Sequence, residues 1–165
     1  GVVPGLLGNA HPSISPYEVF ETADRPMVIA VGNDAQFRRL ADVLGRADLA
    51  DDRRFVTNTD RVEHRADLKA LLDEALAALP ADEWEGRITA AGIPCGPING
   101  LDGAFALAER LGLGSVVEVA DDRRPVPARQ VGNPVTYSAT PVAYRSAPPR
   151  VGEDRAWVLR ELGLA

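Results

Sequence analysis

Apolar residues recur along this chain at spacings that predict distinct elements. "MVIAVG", residues 27–32, is a β-branched run bounded by Pro26 and by Gly32-Asn33-Asp34, which predicts a buried strand. Beyond it Phe37, Leu40, Ala41 and Leu44 return at helical spacing, with Asn33 or Asp34 as N-cap and Gly45 as the stop. The longest helical pattern covers 59–79, capped by Thr59 or Asp60 and ended by Pro80. There Val62, Leu68, Leu71, Leu72, Ala75, Leu76 and Leu79 share one face, and Glu63, Arg65, Asp67, Lys69 and Asp73 the other. A further helix is predicted over 82–91, with Asp82 as cap, Trp84 and Ile88 on its apolar side and Gly92 as its end.

Elsewhere the periodicity lapses. The first 25 residues, with Pro4, Pro12 and Pro16 among turn-type residues, predict irregular backbone along a surface. "IPCGPING", 93–100, is too rich in Pro and Gly for a helix and reads as an extended connector. After a helix at about 102–111, the stretches "SVVEVADD", "PVPARQVGNPV" and "VAYRSAPPR" read as short extended pieces, and 154–162 returns to helix. So much isolated strand with little helix does not close a core of its own. Residues 113–165 are therefore expected to pack on polypeptide outside the first 110. No fixed-period repeat or low-complexity tract is present.

Composition narrows the class. A chain of 165 residues is long enough to bury a core, its 45% apolar and 25% charged content is that of a soluble globular protein, and no apolar run approaches membrane-spanning length. Net charge is -6, Lys69 is the sole lysine, and the arginines are interleaved with acids, as in the "DDRR" runs at 51–54 and 121–124. That pattern reads as solvated turns and lacks the concentrated basic stripe that nucleic acid requires. Cys95 is the only cysteine, which excludes an internal disulfide and fits a reducing compartment. With no secretory pattern at the N-terminus, the expected location is the cytoplasm.

Candidate chemistry is sparse. Only His11 and His64 could serve a nucleophile–histidine pair. His64 falls on the polar face of the long helix and reads as solvated. His11 follows Gly8 and Asn9, which tolerate positive φ, and precedes Pro12, which favours extended backbone. It is either part of a turn that orients the chain or part of a loop lying over a ligand. Cys95, between Pro94 and Gly96 with no nearby His or Lys, reads as a small buried residue in preference to a nucleophile. No CxxC, HExxH or carboxylate–histidine cluster marks a metal site, and "GLGS" at 112–115 lacks the lysine and spacing of a phosphate loop. Composition and spacing alone yield no complete catalytic set.

Five stretches, taken in order, carry a resemblance: "GNAHPSISPYEVFETAD" (8–24), "IAVGNDAQFRRLADVLG" (29–45), "LADDRRFVTNTDRVEHR" (49–65), "AGIPCGPING" (91–100) and "APPRVGED" (147–154) before a "VLRELGL" helix. Together they resemble the family III CoA-transferases, the group that includes formyl-CoA transferase and carnitine CoA-transferase. The resemblance implies an α/β (α+β) fold. Residues 1–112 would be the small domain, with several helices and a small sheet, and 113–165 a segment returning to a large N-terminal domain that this chain does not include.

In that family the nucleophile is an aspartate of the large domain, so the resemblance implies no catalytic residue within these 165. It implies acyl-CoA and carboxylic acid substrates, no permanently bound cofactor or metal, and an interlocked homodimer for the intact enzyme, with neither nucleic acid nor membrane as partner. By position Gly8, Asn9, Ala10 and His11 match a loop of the small domain that covers the reacting aspartate and limits hydrolysis. The match has departures: one glycine stands in "GNAHP" where oxalate-specific members have a run, "DRP" replaces a "DG" turn, and Asp154 takes the place of a histidine. An acyl-CoA racemase of the same superfamily, using a His and Asp pair, is the nearest alternative. A free-standing binding or assembly module without the chemistry is the alternative of another class.

Overall fold

A computed structural model describes residues 5–164, and the chain divides into two compact units, Gly1–Ile98 and Asn99–Ala165.

The first unit is built on a three-stranded antiparallel sheet, β1 (Tyr17–Phe20), β2 (Met27–Ala30) and β3 (Cys95–Pro97), with β2 in the centre. The register pairs Val19 with Val28 and Val28 with Gly96. Irregular backbone is thus not the rule through residue 25. "YEVF" forms a strand because Phe20 is buried in the core and Glu18 meets an arginine on the same sheet face. At four residues, the alternation is too short to stand out from its proline-rich flanks. The "IPCGPING" connector is extended as expected, and supplies β3.

Helix α1 (Asp34–Val43) follows β2 directly; the Asn33 side chain accepts a hydrogen bond from the Gln36 N–H, and Gly45 takes φ +69° beyond its end. A short α2 (Asp48–Asp51) leads to the segment predicted as one long helix. It is two: α3 (Asn58–Glu63) and α4 (Arg65–Leu76), broken at His64. The cap is Thr57, not Thr59 or Asp60. Thr57 and Asp60 form a capping box, each side chain satisfying the other's backbone N–H. At the break, both the backbone N–H and the ring Nδ1 of His64 turn to the Asp60 carbonyl, at 3.0 and 2.9 Å. Helix α5 (Ala81–Ala90) starts one residue before its predicted cap, and Asp82 does not cap it. A carboxylate from the β1–β2 turn does so instead: Asp24 accepts the Ala81 N–H at 2.8 Å. That bond, seconded by Thr22 and Arg25, holds the Asp24 carboxyl below its ordinary range.

One core joins these elements. Phe20, Met27 and Ile29 of the sheet pack with Phe37 and Leu40 of α1, Leu68, Leu72 and Leu76 of α4, and Trp84 and Ile88 of α5. The Trp84 indole N–H donates to the Leu76 carbonyl at 2.8 Å, satisfying the end of α4 from α5.

The second unit contains α6 (Leu101–Arg110), the antiparallel hairpin β4 (Val116–Val119) and β5 (Ala128–Val131), and α7 (Arg155–Glu161). "VAYRSAPPR" contributes no regular strand. Asp121 accepts from the Arg123 side chain and backbone and from the Ala147 N–H, tying the turn after β4 to the irregular segment and holding its carboxyl well below the ordinary range. Among the described residues of this unit, only Val119 and Ala147 are buried apolar side chains. Leu101, Leu111, Leu113, Val126, Val131 and Leu162 are each at least 60% exposed. No helix among the described residues is long and apolar enough to cross a membrane.

Candidate functional site

The loop of Gly8, Asn9, Ala10 and His11 leads into β1, and its shape follows from a few bonds. Gly8 takes φ +62°, a left-handed conformation open to glycine, and the Ala10 N–H closes a turn on the Leu7 carbonyl at 3.1 Å. The Asn9 side chain then accepts the Val19 N–H at 2.9 Å, and the His11 N–H donates to the Tyr17 carbonyl at 2.9 Å. The loop therefore folds back over the start of its own strand. The His11 ring stacks on Tyr17, centroids 5.2 Å apart, and its Nδ1 accepts the Ser13 N–H at 3.2 Å. In the neutral ring, that leaves the proton on Nε2.

Beneath the loop lie three side chains of α3 and α4 that grip its backbone. Asn58 donates to the Ser13 carbonyl at 2.8 Å and accepts the Ser15 N–H at 3.1 Å, the reciprocal pair an amide can make. Arg61, fully buried, donates to the carbonyls of Ser15 (2.7 Å) and Phe55 (2.9 Å), pairs with Asp34 (2.7 Å), and lies 4.4 Å from the Phe37 ring centroid. Arg65 donates to the carbonyls of His11 (2.7 Å) and Ile14 (3.2 Å) and pairs with the buried Glu18 at 3.2 Å. Every loop residue from His11 to Ser15 except Pro12 has its carbonyl held this way.

The other sequence candidates lie apart from this arrangement. His64 is half-buried at the α3–α4 break, occupied with the Asp60 carbonyl. Cys95 on β3 is half-buried beside Thr89 and the Glu85 carbonyl; burial raises its thiol above the ordinary range, opposite to what an activated nucleophile needs. The "DDRR" runs form turns in which Arg54 pairs with Asp52 and Arg123 with Asp121. Asp154 also pairs with Arg123, at 3.1 Å. Among the described residues no three His, Cys, Asp or Glu converge as metal ligands. A groove of about 770 Å³ belongs to the second unit, where Phe105 and Val116 stand beside Glu109 and Arg129. Its size does not make it the better candidate, since it is an open surface between α6 and the hairpin and no loop residue lines it.

The sequence profile of CoA-transferase family III matches residues 1–155. The chain belongs to CoA-transferase family III. This family III chain is 40% identical to the succinate–glutarate CoA-transferase of Agrobacterium fabrum, an alignment covering 98% of the chain and 40% of that protein. It is 36% identical to the acetyl-CoA:oxalate CoA-transferase of Acetobacter aceti, covering 98% and 40%, and 35% identical to the mouse succinyl-CoA:glutarate CoA-transferase, covering 94% and 35%. The crystal structure of a CAIB/BAIF family protein from Brucella suis superposes with a TM-score of 0.80 at 34% identity, over 96% of this chain and 40% of that one. The chain thus spans about two-fifths of the length of the proteins it matches.

Sequence reasoning passed over Asn58 and Arg61 and assigned Arg65 to the solvated face of its helix. The Arg65 side chain is 18% exposed and that of Arg61 1%. A signal was present: in the unbroken helix that the spacing predicts, 61, 65, 68, 72 and 76 form one stripe, which sets two arginines in line with three leucines, and in the structure Arg65 keeps that line on α4.

Proposed function

We propose that this chain is the small domain and returning segment of a family III CoA-transferase that moves CoA between two carboxylic acids. In this reading the nucleophile is an aspartate carried by polypeptide outside these 165 residues. Its carboxylate attacks the thioester carbonyl of the donor acyl-CoA, the C–S bond breaks, and CoA thiolate leaves behind an aspartyl–acyl anhydride. The thiolate then attacks the aspartyl carbonyl and expels the donor as a free carboxylate, leaving an aspartyl-CoA thioester. The acceptor carboxylate displaces CoA to form a second anhydride, and the returning thiolate takes up the new acyl group and frees the aspartate. Acyl groups of similar energy are exchanged throughout, so the task left to the surrounding protein is to position the reactants and exclude water from the anhydrides.

The residues brought to that task are Gly8, Asn9, Ala10 and His11. The observation that carries this assignment is the loop's construction: small side chains at Gly8 and Ala10, and carbonyls from His11 onward held from below by Asn58, Arg61 and Arg65. His11 acts as part of this cover and not as a base. The exposed leucines and valines of the second unit support the further reading that residues 113–165 pack on the large domain. The intact enzyme is proposed to work in the cytoplasm as a homodimer, as the family resemblance implies. Three relatives named above act, by name, on succinate, glutarate or oxalate, and short dicarboxylic acids are therefore the proposed substrate class.

The test is to express the longer reading frame that contains this sequence beside the 165-residue chain, and to assay CoA transfer from succinyl-CoA to glutarate and oxalate. The longer protein should transfer CoA and carry a CoA thioester, located by mass spectrometry, on an aspartate outside residues 1–165. An enzyme-like transfer rate from the 165-residue chain alone would refute the proposal.

A further inference from the structure

Asn58 and Arg61 fasten the loop at Ser13 and Ser15, its end nearest the core. The portion nearer Gly8 depends on other bonds. Among the described residues, the guanidinium on the His11 carbonyl is that of Arg65, whose Nη2 serves both His11 (2.7 Å) and Ile14 (3.2 Å). Its Nη1 faces Glu18 on β1 at 3.2 Å, and that carboxylate, its side chain 8% exposed, has no role in the sheet's hydrogen bonding. One planar fork therefore ties α4, the strand and the loop at once. A lysine could carry the charge there but could not span three acceptors in fixed directions.

We infer that Arg65, held by Glu18, is the positioning residue that sets where the Gly8–His11 loop sits over the reacting groups. The inference rests on the loop's proposed role in CoA transfer. Its physical content is that loosening Arg65 leaves the His11 end of the loop tied only to β1, through the His11–Tyr17 and Asn9–Val19 bonds, and no longer to α4, while Asn58, Arg61 and the core keep the fold. Water then reaches the anhydride, and hydrolysis competes with transfer.

The experiment uses the full-length enzyme with R65K, E18Q, the R65K/E18Q double variant, and R54Q as control. Arg54 is a surface residue paired with Asp52 and Asp67 and makes no contact with the loop. Four quantities are read: thermal midpoint, hydrogen exchange of the amides at 8–16, kcat and KM for succinyl-CoA, and the ratio of CoA transfer to thioester hydrolysis. R65K is expected to remain folded, to exchange faster at 8–11, and to lose about tenfold in the transfer-to-hydrolysis ratio, a displacement-sized effect. The loss should fall on kcat, with KM changing by less than about threefold. E18Q should move both readouts in the same direction, and the double variant should be no worse than R65K, because the two side chains act as one unit. A stable R65K with the wild-type ratio overturns the inference, as does an R54Q enzyme with the same defect. If the wild-type enzyme transfers no CoA, the functional reading fails, and the exchange rates then decide the placing role alone: unchanged exchange at 8–11 in R65K overturns it.

Discussion

Replacing Arg61 tests whether the buried guanidinium supports the first unit by its hydrogen bonds or only by filling space. Its side chain is 1% exposed and donates to the Ser15 and Phe55 carbonyls, which would be left unpaired without it. Each such acceptor costs about 1–3 kcal/mol when stranded. The ion pair adds less: the Asp34 side chain is 51% exposed and returns to water, so its share is below about 1 kcal/mol. The stacking on Phe37 contributes about 1 kcal/mol more. R61A, which also opens a cavity, should lose about 3–5 kcal/mol, a large part of the 5–15 kcal/mol by which an ordinary domain is stable. R61M keeps most of the volume but none of the donors, and should still lose about 2–4 kcal/mol. R61K, able to reach one carbonyl at a time, should lie between R61M and wild type. Urea unfolding followed by Trp84 fluorescence, in a background where the exposed Trp157 is replaced by Phe, reads these directly. At a slope of about 1 kcal/mol per molar urea, the R61M midpoint should fall by roughly 2–4 M. If R61M is as stable as wild type, desolvation of the guanidinium cancels its bonds, and the argument for a hydrogen-bonded anchor fails.

Three further outcomes are expected. Thr57→Ala removes half of the capping box and should destabilise the first unit by about 1 kcal/mol in the same urea assay, while Thr57→Ser should be nearly neutral. The Asp52 carboxyl is pushed down to about 2, chiefly by the Arg54 side chain, and Asp24, Asp48 and Asp60 are lowered through Ala81, Arg46 and Thr57 respectively. As pH falls the unfolded chain protonates these groups first, so their stabilisation is full above the ordinary carboxylate pKa of about 4 and is lost on descending toward pH 2; thermal midpoints that stay level from pH 5 to 2 would contradict this. Because burial raises the Cys95 thiol, its alkylation rate should keep climbing with pH after that of an unhindered thiol has levelled off, and a rate already level at pH 8 would refute it.

What the sequence made legible is the part of the fold written in apolar spacing. The strand at 27–30, the Asn33 cap, the α1 face and the glycine stops at Gly45 and Gly92 all appear where the pattern puts them. These features are local: each depends on residues within a turn or two of one another. The misplacements share the opposite property. Helix α5 is capped by Asp24, 57 positions earlier, so no window around Asp82 contains its cap. The strand at 17–20 is held by pairing with β2 and by the Glu18–Arg65 bond across 47 positions. The break at His64 turns on which groups share one carbonyl, a geometry that spacing does not encode.

The Gly8–His11 loop is singled out by resemblance alone, and its anchors are not legible in the sequence, for a reason that lies in the bonds themselves. A guanidinium that grips backbone carbonyls places no demand on the side chains of the segment it grips, so nothing in "GNAHPSIS" announces Arg61 or Arg65. The donors alone carry a trace, and it is angular. At about 100° per residue, Leu68, Leu72 and Leu76 define the centre of the buried stripe of α4, with Arg65 about 20° from it and Lys69 about 60°; Arg61 stands on α3, across the break at His64. Exposure follows that alignment within α4, at 18% for Arg65 and 35% for Lys69. A cation in line with a helix's leucines must either distort the helix or find buried acceptors, and where the apolar stripe is intact the second holds. The acceptors it finds need unpaired backbone, which in a folded domain means a loop or a helix end, and for Arg65 it is the loop carbonyls of His11 and Ile14. An in-line arginine beside a proline-interrupted segment therefore points to a loop held in a set position, which is what the proposed cover over a water-sensitive intermediate would require.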